Sequence, residues 1–255
     1  MSAIDVLWLP GELASVRAGA RTTVVIDVIR ATTSITTALA AGAERVIPAL
    51  TVVAAREAAA RTEGSLLCGE REGVPPPGFD LGNAPGEFDR ATVAGRTLVF
   101  TTTNGTAAVE AVRDAGAVRL GCFRNVGAVA RAVAGDAARG GCGVSILCAG
   151  RRGRVSMDDA WCAGHLVTRF VQTVGGATLT DGARAAQALS AELGPPTAVG
   201  LARTAAGRAL RAIGRADDLR ACATVDDLTA VPVWRDGALV LPRAARVGRR
   251  TCDGG

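Results

Sequence analysis

The chain has 255 residues, of which 49% are hydrophobic and 3% aromatic, and its formal net charge is +5. This apolar fraction is ample for a buried core and excludes both a disordered chain and a coiled coil. The sequence contains no lysine, no tyrosine and a single histidine, His165, which excludes a P-loop lysine, a Schiff base and a multi-histidine metal site.

Short β-branched runs alternate with alanine-rich stretches from residue 23 onward. The runs predict strands over 23–26, 45–47, 65–68, 97–101, 117–120 and 144–148. The stretches between them predict helices over 32–41, 52–61, 106–115, 126–134 and 156–174. Because the strands are apolar throughout, the pattern indicates a mostly parallel sheet that helices cover on both faces.

The last third of the chain changes character. Residues 181–228 are expected to be wholly helical, with breaks at 194–196 and at Gly214. Residues 231–241 predict a hairpin with a type I′ turn at Asp236-Gly237, which we expect at an edge of the sheet or near the rim of the active site. We expect residues 1–255 to form a single α/β domain.

Polar groups follow five of the predicted strands, whereas the turns that lead from helices into strands are bland. In an open parallel sheet, ligands bind beyond the carboxyl ends of the strands. The sequence therefore predicts a site at this one edge of the sheet. The segments that reach it are 27–33, 69–73, 101–106, 124–125 and 149–154.

The segment TTTNGT, residues 101–106, ends a strand and begins a helix. Its hydroxyls and helix-terminal amides, at Thr102, Thr103, Asn104 and Gly105, predict a cradle for a phosphate or sulfonate. The alternative is an ordinary helix cap made by threonine or asparagine.

Three acids at the same edge are candidates for a magnesium site, since Mg²⁺ prefers oxygen ligands. Asp27 follows a buried strand and is interpreted as a metal ligand or a phosphoryl acceptor, or else as a helix cap paired with Arg30. Glu70 is a second possible ligand, or one half of an ion pair within its loop. Asp80 is a third, or a residue that forms a turn with its own backbone.

Arginines are concentrated before the acids that open the helix predicted at 156–174. One or two of Arg151, Arg152 and Arg154 are expected to hold an anion in forked geometry, while the others are solvated or neutralise Asp158 and Asp159.

Two further residues offer other chemistry. His165 lies in the middle of a predicted helix, and we interpret it as a partly buried structural residue rather than an acid or base. Cys148 is followed by five residues and then Arg154, a spacing that fits a thiolate phosphatase.

Composition also bears on partners and compartment. Dispersed arginines and few aromatic residues disfavour nucleic acid and favour a small anionic ligand. The seven cysteines form no CxxC pair, which indicates free thiols in a cytoplasmic protein. We expect neither a signal peptide nor a membrane span. A homodimer is the candidate assembly.

Five ordered segments carry a resemblance to a known family. They are 27–35 (DVIRATTSI), 69–73 (GEREG), 78–85 (GFDLGNAP), 101–106 (TTTNGT), and 148–150 (CAG) with 158–159 and 162–164. Together with 231–233 they extend from about residue 20 to 240 and resemble the 2-phosphosulfolactate phosphatase family. The resemblance implies a three-layer α/β/α fold and a Mg²⁺-dependent enzyme that converts 2-phospho-3-sulfolactate to 3-sulfolactate and phosphate, a step in coenzyme M biosynthesis.

The leading hypothesis is therefore metal-assisted hydrolysis of a phosphate monoester. Its metal ligands are Asp27 and Glu70 with Asp80 or Asp159, and Asp27 and Arg30 are its catalytic residues. Its substrate-binding residues are Arg71, Thr102, Thr103, Asn104, Gly105 and Arg154. The alternatives are a thiolate phosphatase that uses Cys148 and Arg154, and a non-catalytic binder of small phosphorylated or sulfonated acids.

Overall fold

The computed structural model describes residues 3–15, 22–140 and 143–242, and it contains a ten-stranded sheet. The strands are β1 Ala3–Leu7, β2 Thr22–Ile26, β3 Arg45–Pro48, β4 Leu66–Gly69, β5 Thr97–Thr101, β6 Ala117–Gly121, β7 Val144–Cys148, β8 Thr178–Leu179, β9 Val233–Arg235 and β10 Ala238–Val240. The helices are α1 Ala31–Ala40, α2 Val52–Ala60, α3 Arg90–Val93, α4 Gly105–Ala111, α5 Val126–Gly140, α6 Met157–Val174, α7 Asp181–Leu193, α8 Ala198–Leu201, α9 Ala205–Ala212 and α10 Asp218–Ala223.

The order of strands across the sheet is β4-β5-β3-β10-β9-β6-β2-β7-β1-β8. β2 is buried along its whole length and pairs in parallel with β6 and β7, so that Ile26 lies opposite Gly121 and Cys148. Separate apolar cores cover the two faces: one contains Phe123 and Phe170, and the other contains Phe88 and Phe100. The predicted three-layer, mostly parallel α/β fold is confirmed.

The hairpin is the main correction to the predicted topology. Its type I′ turn is as expected, since Asp236 and Gly237 both have positive φ, at 50° and 78°. The expected position at a sheet edge is wrong: β9 and β10 lie in the middle of the sheet, antiparallel to their neighbours β6 and β3. Leu239 is fully buried there, so the hairpin fills the gap between two parallel halves of the sheet.

Two strands were not predicted. β1 pairs in parallel with β7, and the two-residue β8 extends the sheet beyond β1. The region 181–228 contains α7 to α10 and is interrupted near the two predicted breaks. It is not wholly helical as predicted, since 202–204 and 224–228 also lie outside the helices. Among the described residues, no helix is both long and apolar enough to cross a membrane. Cys142 and Cys252 lie outside the described residues, and the other five cysteines are buried and free.

Candidate active site

A cavity of about 500 Å³ opens at the carboxyl ends of β2, β4, β5 and β7. Its polar wall comes from the strand-end segments, and its other wall is the apolar face of α9 with Ile213 just beyond it. The polar residues that line the cavity are Asp27, Arg30, Glu70, Glu72, Asn83, Thr102, Thr103, Asn104, Arg151 and Arg152. The parallel strands thus bring most of the sequence-predicted segments to one place.

Asp27 lies at the floor of the cavity, immediately after β2, and is 7% exposed. Its Oδ1 accepts only a long hydrogen bond, 3.4 Å, from the Ala31 amide. A Cβ on Gly105 would lie 2.8 Å from Asp27 Oδ2, so glycine is required for α4 to start this close to the carboxylate. Burial, followed by the charge of Asp158, raises the pKa of Asp27 to about 7.

Asp158 and Asp159 begin α6 and line a small recess that Asp27 also lines. Asp158 accepts a 2.6 Å hydrogen bond from the Ser156 hydroxyl on its Oδ1. Burial raises the pKa of Asp158, although Ser156, nearby backbone amides and Arg151 favour its charged form. Asp158 was not among the predicted ligands, which include its neighbour Asp159.

Asp159 fastens two loops together. Its Oδ1 accepts the Val28 amide at 2.9 Å and its Oδ2 accepts the Gly150 amide at 3.1 Å. Burial and the charges of Asp158 and Asp27 raise the pKa of Asp159 well above its ordinary value. Its oxygens hold the ends of β2 and β7 side by side.

Glu70 has the same kind of role on the other side of the cavity. Its Oε1 accepts the Thr103 amide at 2.8 Å, and its Oε2 accepts the Gly73 amide at 2.7 Å. Both oxygens of this predicted ligand therefore shape loops. Asp80, the remaining predicted ligand, is exposed, accepts the Leu67 amide at 2.8 Å and does not line the cavity.

The turn predicted to form an anion cradle lines the cavity, but part of it is used for capping. Thr102 Oγ1 accepts the Thr106 amide at 3.1 Å, and the Thr103 amide is bound to Glu70. Asn104 Oδ1 accepts the Arg152 amide at 3.3 Å. The Thr103 hydroxyl and the Asn104 side chain are the parts of this turn that remain open to the cavity.

The arginines are distributed differently from the prediction. Arg30 is 4% exposed, donates to Asp218 Oδ2 and to the Gly73 carbonyl, both at 2.7 Å, and lines the cavity. Arg71 donates instead to the Leu50 carbonyl and to Thr101 Oγ1, outside the cavity lining.

The loop after β7 contributes two cations to the cavity, Arg151 and Arg152. Arg154, which was the predicted anion ligand, is exposed and does not line the cavity. Its backbone pairs with that of Arg151 in a tight turn, through two hydrogen bonds of 2.8 and 3.0 Å. The Arg152 guanidinium lies 3.6 Å from Glu72 at the exposed mouth of the cavity.

Neither Cys148 nor His165 lines the cavity. Cys148 is fully buried in the core, and burial raises the pKa of its thiol well above the ordinary value. Because the thiolate is the nucleophilic form, the structure does not support the thiolate phosphatase. His165 is a structural residue, as expected: its ring packs edge-on against Phe123 and lies 3.2 Å from the Gly194 carbonyl.

The carboxylates of Asp27 and Asp158 fit a cation whose remaining ligands are waters and substrate oxygens. Within the described ranges, no group of three or more His, Cys, Asp or Glu side chains is arranged as a metal site. Mg²⁺ in phosphate-handling enzymes is bound by one or two carboxylates together with waters and substrate phosphate. Asp27 and Asp158 fit that requirement, because two buried carboxylates beside each other need a neutralising charge.

Comparison with known proteins decides the family. A sequence model of 2-phosphosulpholactate phosphatase matches residues 10–237 of the chain. The chain belongs to the 2-phosphosulfolactate phosphatase family. This membership places it among the phosphoric monoester hydrolases.

Three proteins that are similar to this chain are each named a probable 2-phosphosulfolactate phosphatase. The Thermus thermophilus protein is 41% identical over 224 residues, covering 86% of this chain and 92% of its own length. The Symbiobacterium thermophilum protein is 38% identical over 87% of this chain and 94% of its own length. The Thermotoga petrophila protein is 37% identical over 87% and 92%. The matched part of the phosphatase includes all the strand ends that form the cavity.

Sequence reasoning missed two contributors to the cavity, besides Asp158 in the recess. Asn83 is 4% exposed and lines the cavity, although Asp80 was the only residue of its segment named as a candidate. The apolar wall formed by α9 was not foreseen, because a helix of alanines and arginines shows no sign of facing a ligand. The sequence contains no signal for the burial of Asn83, because that burial depends on the fold.

Proposed function

We propose that the chain hydrolyses 2-phospho-3-sulfolactate to 3-sulfolactate and inorganic phosphate, with Mg²⁺ held by Asp27 and Asp158. The observation that carries this proposal is the pair of neighbouring buried carboxylates Asp27, which lines both the cavity and the recess, and Asp158, which lines the recess; burial raises the pKa of both. The names of the relatives support the substrate. The free, buried cysteines support the cytoplasm as the compartment. The family resemblance supports coenzyme M biosynthesis as the pathway.

Asp27 and Asp158 would hold the Mg²⁺, and the Ser156 hydroxyl orients Asp158 through its 2.6 Å hydrogen bond. When bound, the ion would supply charge neutralisation for the phosphoryl group and for the leaving oxygen. The Thr103 hydroxyl and Asn104 donate to phosphoryl oxygens from the neighbouring turn.

Hydrolysis forms one bond from a water oxygen to phosphorus and breaks the bond between phosphorus and the ester oxygen. One proton of the attacking water ends on the ester oxygen, which becomes the 2-hydroxyl of the product, and the other proton stays on the released phosphate. Positive charge from Arg151, at the edge of the recess, opposes the negative charge that accumulates on the phosphoryl oxygens. The apolar wall of α9 limits the number of waters around the reacting atoms.

The test is phosphate release from 2-phospho-3-sulfolactate before and after treatment with EDTA, followed by re-addition of Mg²⁺. We expect turnover to be lost in EDTA and restored by Mg²⁺. Asp80→Asn is a matched control, since it changes an exposed carboxylate outside the cavity and should leave turnover within about twofold.

Two results would contradict the proposal. Full turnover in EDTA would remove the metal from the mechanism. Tight binding of 3-sulfolactate without hydrolysis of any phosphate ester would instead favour the non-catalytic binder.

A further inference from the structure

Asn83 presents an unusual combination of burial and missing partners. The residue is 4% exposed and lines the cavity. Its Oδ1 is one of two buried side-chain polar atoms that have no hydrogen-bond partner among the described residues, the other being Thr36 Oγ1. Buried polar groups in folded proteins are nearly always hydrogen-bonded, so such an exception needs an explanation.

The fold holds Asn83 in place through its backbone rather than its side chain. The Asn83 carbonyl accepts a 2.8 Å hydrogen bond from the Ser34 hydroxyl on α1. The carboxamide adds no hydrogen bond to the packing, so an apolar side chain of the same size would serve the fold at least as well. Oδ1 is the buried atom of the carboxamide, whereas Nδ2 also has no partner but is not among the buried atoms, so its two N–H donors are accessible from the cavity that the residue lines.

Asn83 lies on the same side of the cavity as Arg30. It lies two residues before the short 3₁₀ turn Pro85–Glu87, which packs against α1 and α10. α1 follows Arg30, and α10 carries Asp218, the ion-pair partner of Arg30.

Arg30 also has donors to spare. It uses Nη1 for Asp218 and Nη2 for the Gly73 carbonyl, which leaves three of the five guanidinium N–H groups. A planar cation and a carboxamide on the same wall suit a carboxylate or a sulfonate. Asp27 and Asp158 line the recess, which neither Arg30 nor Asn83 lines, so this wall is distinct from the proposed phosphoryl end.

We propose that Asn83 determines substrate specificity: its carboxamide, together with Arg30, donates hydrogen bonds to an acidic group of the substrate other than the phosphate. The proposal rests on the proposed function, since it assigns the second anionic subsite of the same cavity. The group that binds there is a sulfonate or a carboxylate, and the choice of substrates distinguishes the two.

The experiment compares the wild type with Asn83→Leu, which keeps the size of the side chain and removes its donors. Three substrates are used: 2-phospho-3-sulfolactate, 2-phospholactate, which lacks the sulfonate, and 4-nitrophenyl phosphate, which has neither acidic group. Since hydrogen bonds to charged groups are strong, we expect kcat/KM for 2-phospho-3-sulfolactate to fall about tenfold or more, mainly through KM. Turnover of 4-nitrophenyl phosphate should stay within about twofold.

The behaviour of 2-phospholactate identifies the group. A rise in KM for both acids assigns the carboxylate to Asn83, and a rise for 2-phospho-3-sulfolactate alone assigns the sulfonate. An equal loss on all three substrates, or no change on any of them, would overturn the proposal.

Two further variants guard against a folding defect. Asn83→Asp keeps the shape of the side chain and puts an acceptor in place of the donor, so it should raise KM further while sparing 4-nitrophenyl phosphate. Thr36→Val removes the other unpartnered buried polar atom, which lies on α1 outside the cavity lining, and should leave all three substrates unchanged.

A binding measurement separates this inference from the proposed function. If the wild type does not hydrolyse 2-phospho-3-sulfolactate, the proposed function fails. Inhibition of 4-nitrophenyl phosphate hydrolysis by 3-sulfolactate and by inorganic phosphate then still tests Asn83. Asn83→Leu should raise the inhibition constant of 3-sulfolactate and leave that of phosphate unchanged, and equal constants in wild type and variant would contradict the inference.

Discussion

Two pairs of buried carboxylates lie at the same edge of the sheet and have different surroundings. In Glu70 and Asp159 each of the two oxygens accepts a backbone N–H within 3.1 Å. In the other pair, Asp27 receives a single long bond of 3.4 Å, and Asp158 has a short one from the Ser156 hydroxyl. This difference shows that a buried acid at this edge of the sheet either anchors loops or has oxygens left for a ligand. The number of backbone N–H groups that its oxygens accept distinguishes the two cases.

The largest effect is expected from removing a charge at the floor of the cavity. Asp27→Asn and Asp158→Asn each delete one proposed metal ligand. Mutation of a residue that only supports a metal ligand typically lowers metal affinity about 10–100-fold, so removal of a ligand itself should lower Mg²⁺ affinity by more than about 100-fold. Isothermal titration with Mg²⁺ measures this directly and does not depend on turnover.

Glu70→Gln is the matched control for that titration, because it also removes one buried negative charge beside the cavity. Its Mg²⁺ affinity should stay within a few-fold of the wild type. Equal losses in Glu70→Gln and Asp158→Asn would remove the distinction between the two pairs.

The next effect is on the pH dependence of stability in the metal-free protein. The pKa of Asp27 is raised to about 7 from an ordinary value of 3.8, so the folded state binds this proton more tightly than the unfolded chain does. The free energy of unfolding should therefore fall as the pH rises from about 4 to 7, by ~2–4 kcal/mol for this group. Asp158 and Asp159 act in the same direction, whereas the lowered pKa of His165 acts in the opposite one.

Urea unfolding at pH 5 and pH 8, in EDTA, checks this expectation. Asp27→Asn should be less sensitive to pH than the wild type, and His165 is common to both proteins. Mg²⁺ should stabilise the wild type more at pH 8 than at pH 5, since metal binding and protonation compete for the same oxygens. A wild type as insensitive to pH as Asp27→Asn would contradict the burial of an unneutralised Asp27.

A smaller effect is expected from the loop-anchoring pair. In Glu70→Gln, the amide group can accept only one of the two N–H bonds from Thr103 and Gly73. Leaving a part-buried N–H without an acceptor should lower the free energy of unfolding by about 1 kcal/mol. Chemical denaturation at pH 7 measures it, and an unchanged midpoint would show that these loops do not depend on Glu70.

The smallest effect is expected at Cys148. Its thiol is fully buried in the core and does not line the cavity, and burial raises the pKa of the thiol. Cys148→Ala should keep kcat within about twofold, as measured by phosphate release. Complete loss of turnover in a folded variant would restore the thiolate mechanism.

The sequence predicted the local elements well and the long-range placements poorly. Strands β5 and β7 were predicted to the residue, because each is an apolar run with clear polar or glycine boundaries. The hairpin was recognised by Asp236-Gly237, but its place in the middle of the sheet depends on pairing with strands about 110 to 190 residues away. Local patterns carry no signal for such pairing.

The same limit applies within the site. Successive residues on a helix point about 100° apart, so the rotation of α6 decides whether Asp158 or Asp159 faces Asp27. Similarly, the sequence predicted that Arg71, Arg151 and Arg154 lie at the edge of the sheet where the site is. The fold shows that, of these three, Arg151 lines the cavity and the other two do not.

We propose that Asp27 and Asp158, rather than Glu70 and Asp159, hold the metal. Anomalous scattering from a crystal soaked in Mn²⁺, used in place of Mg²⁺, locates the ion directly. We expect one anomalous peak in contact with carboxylate oxygens of both Asp27 and Asp158, and none at Glu70. A peak bound by Glu70 or Asp80, or the absence of any peak in the cavity at saturating Mn²⁺, would contradict it.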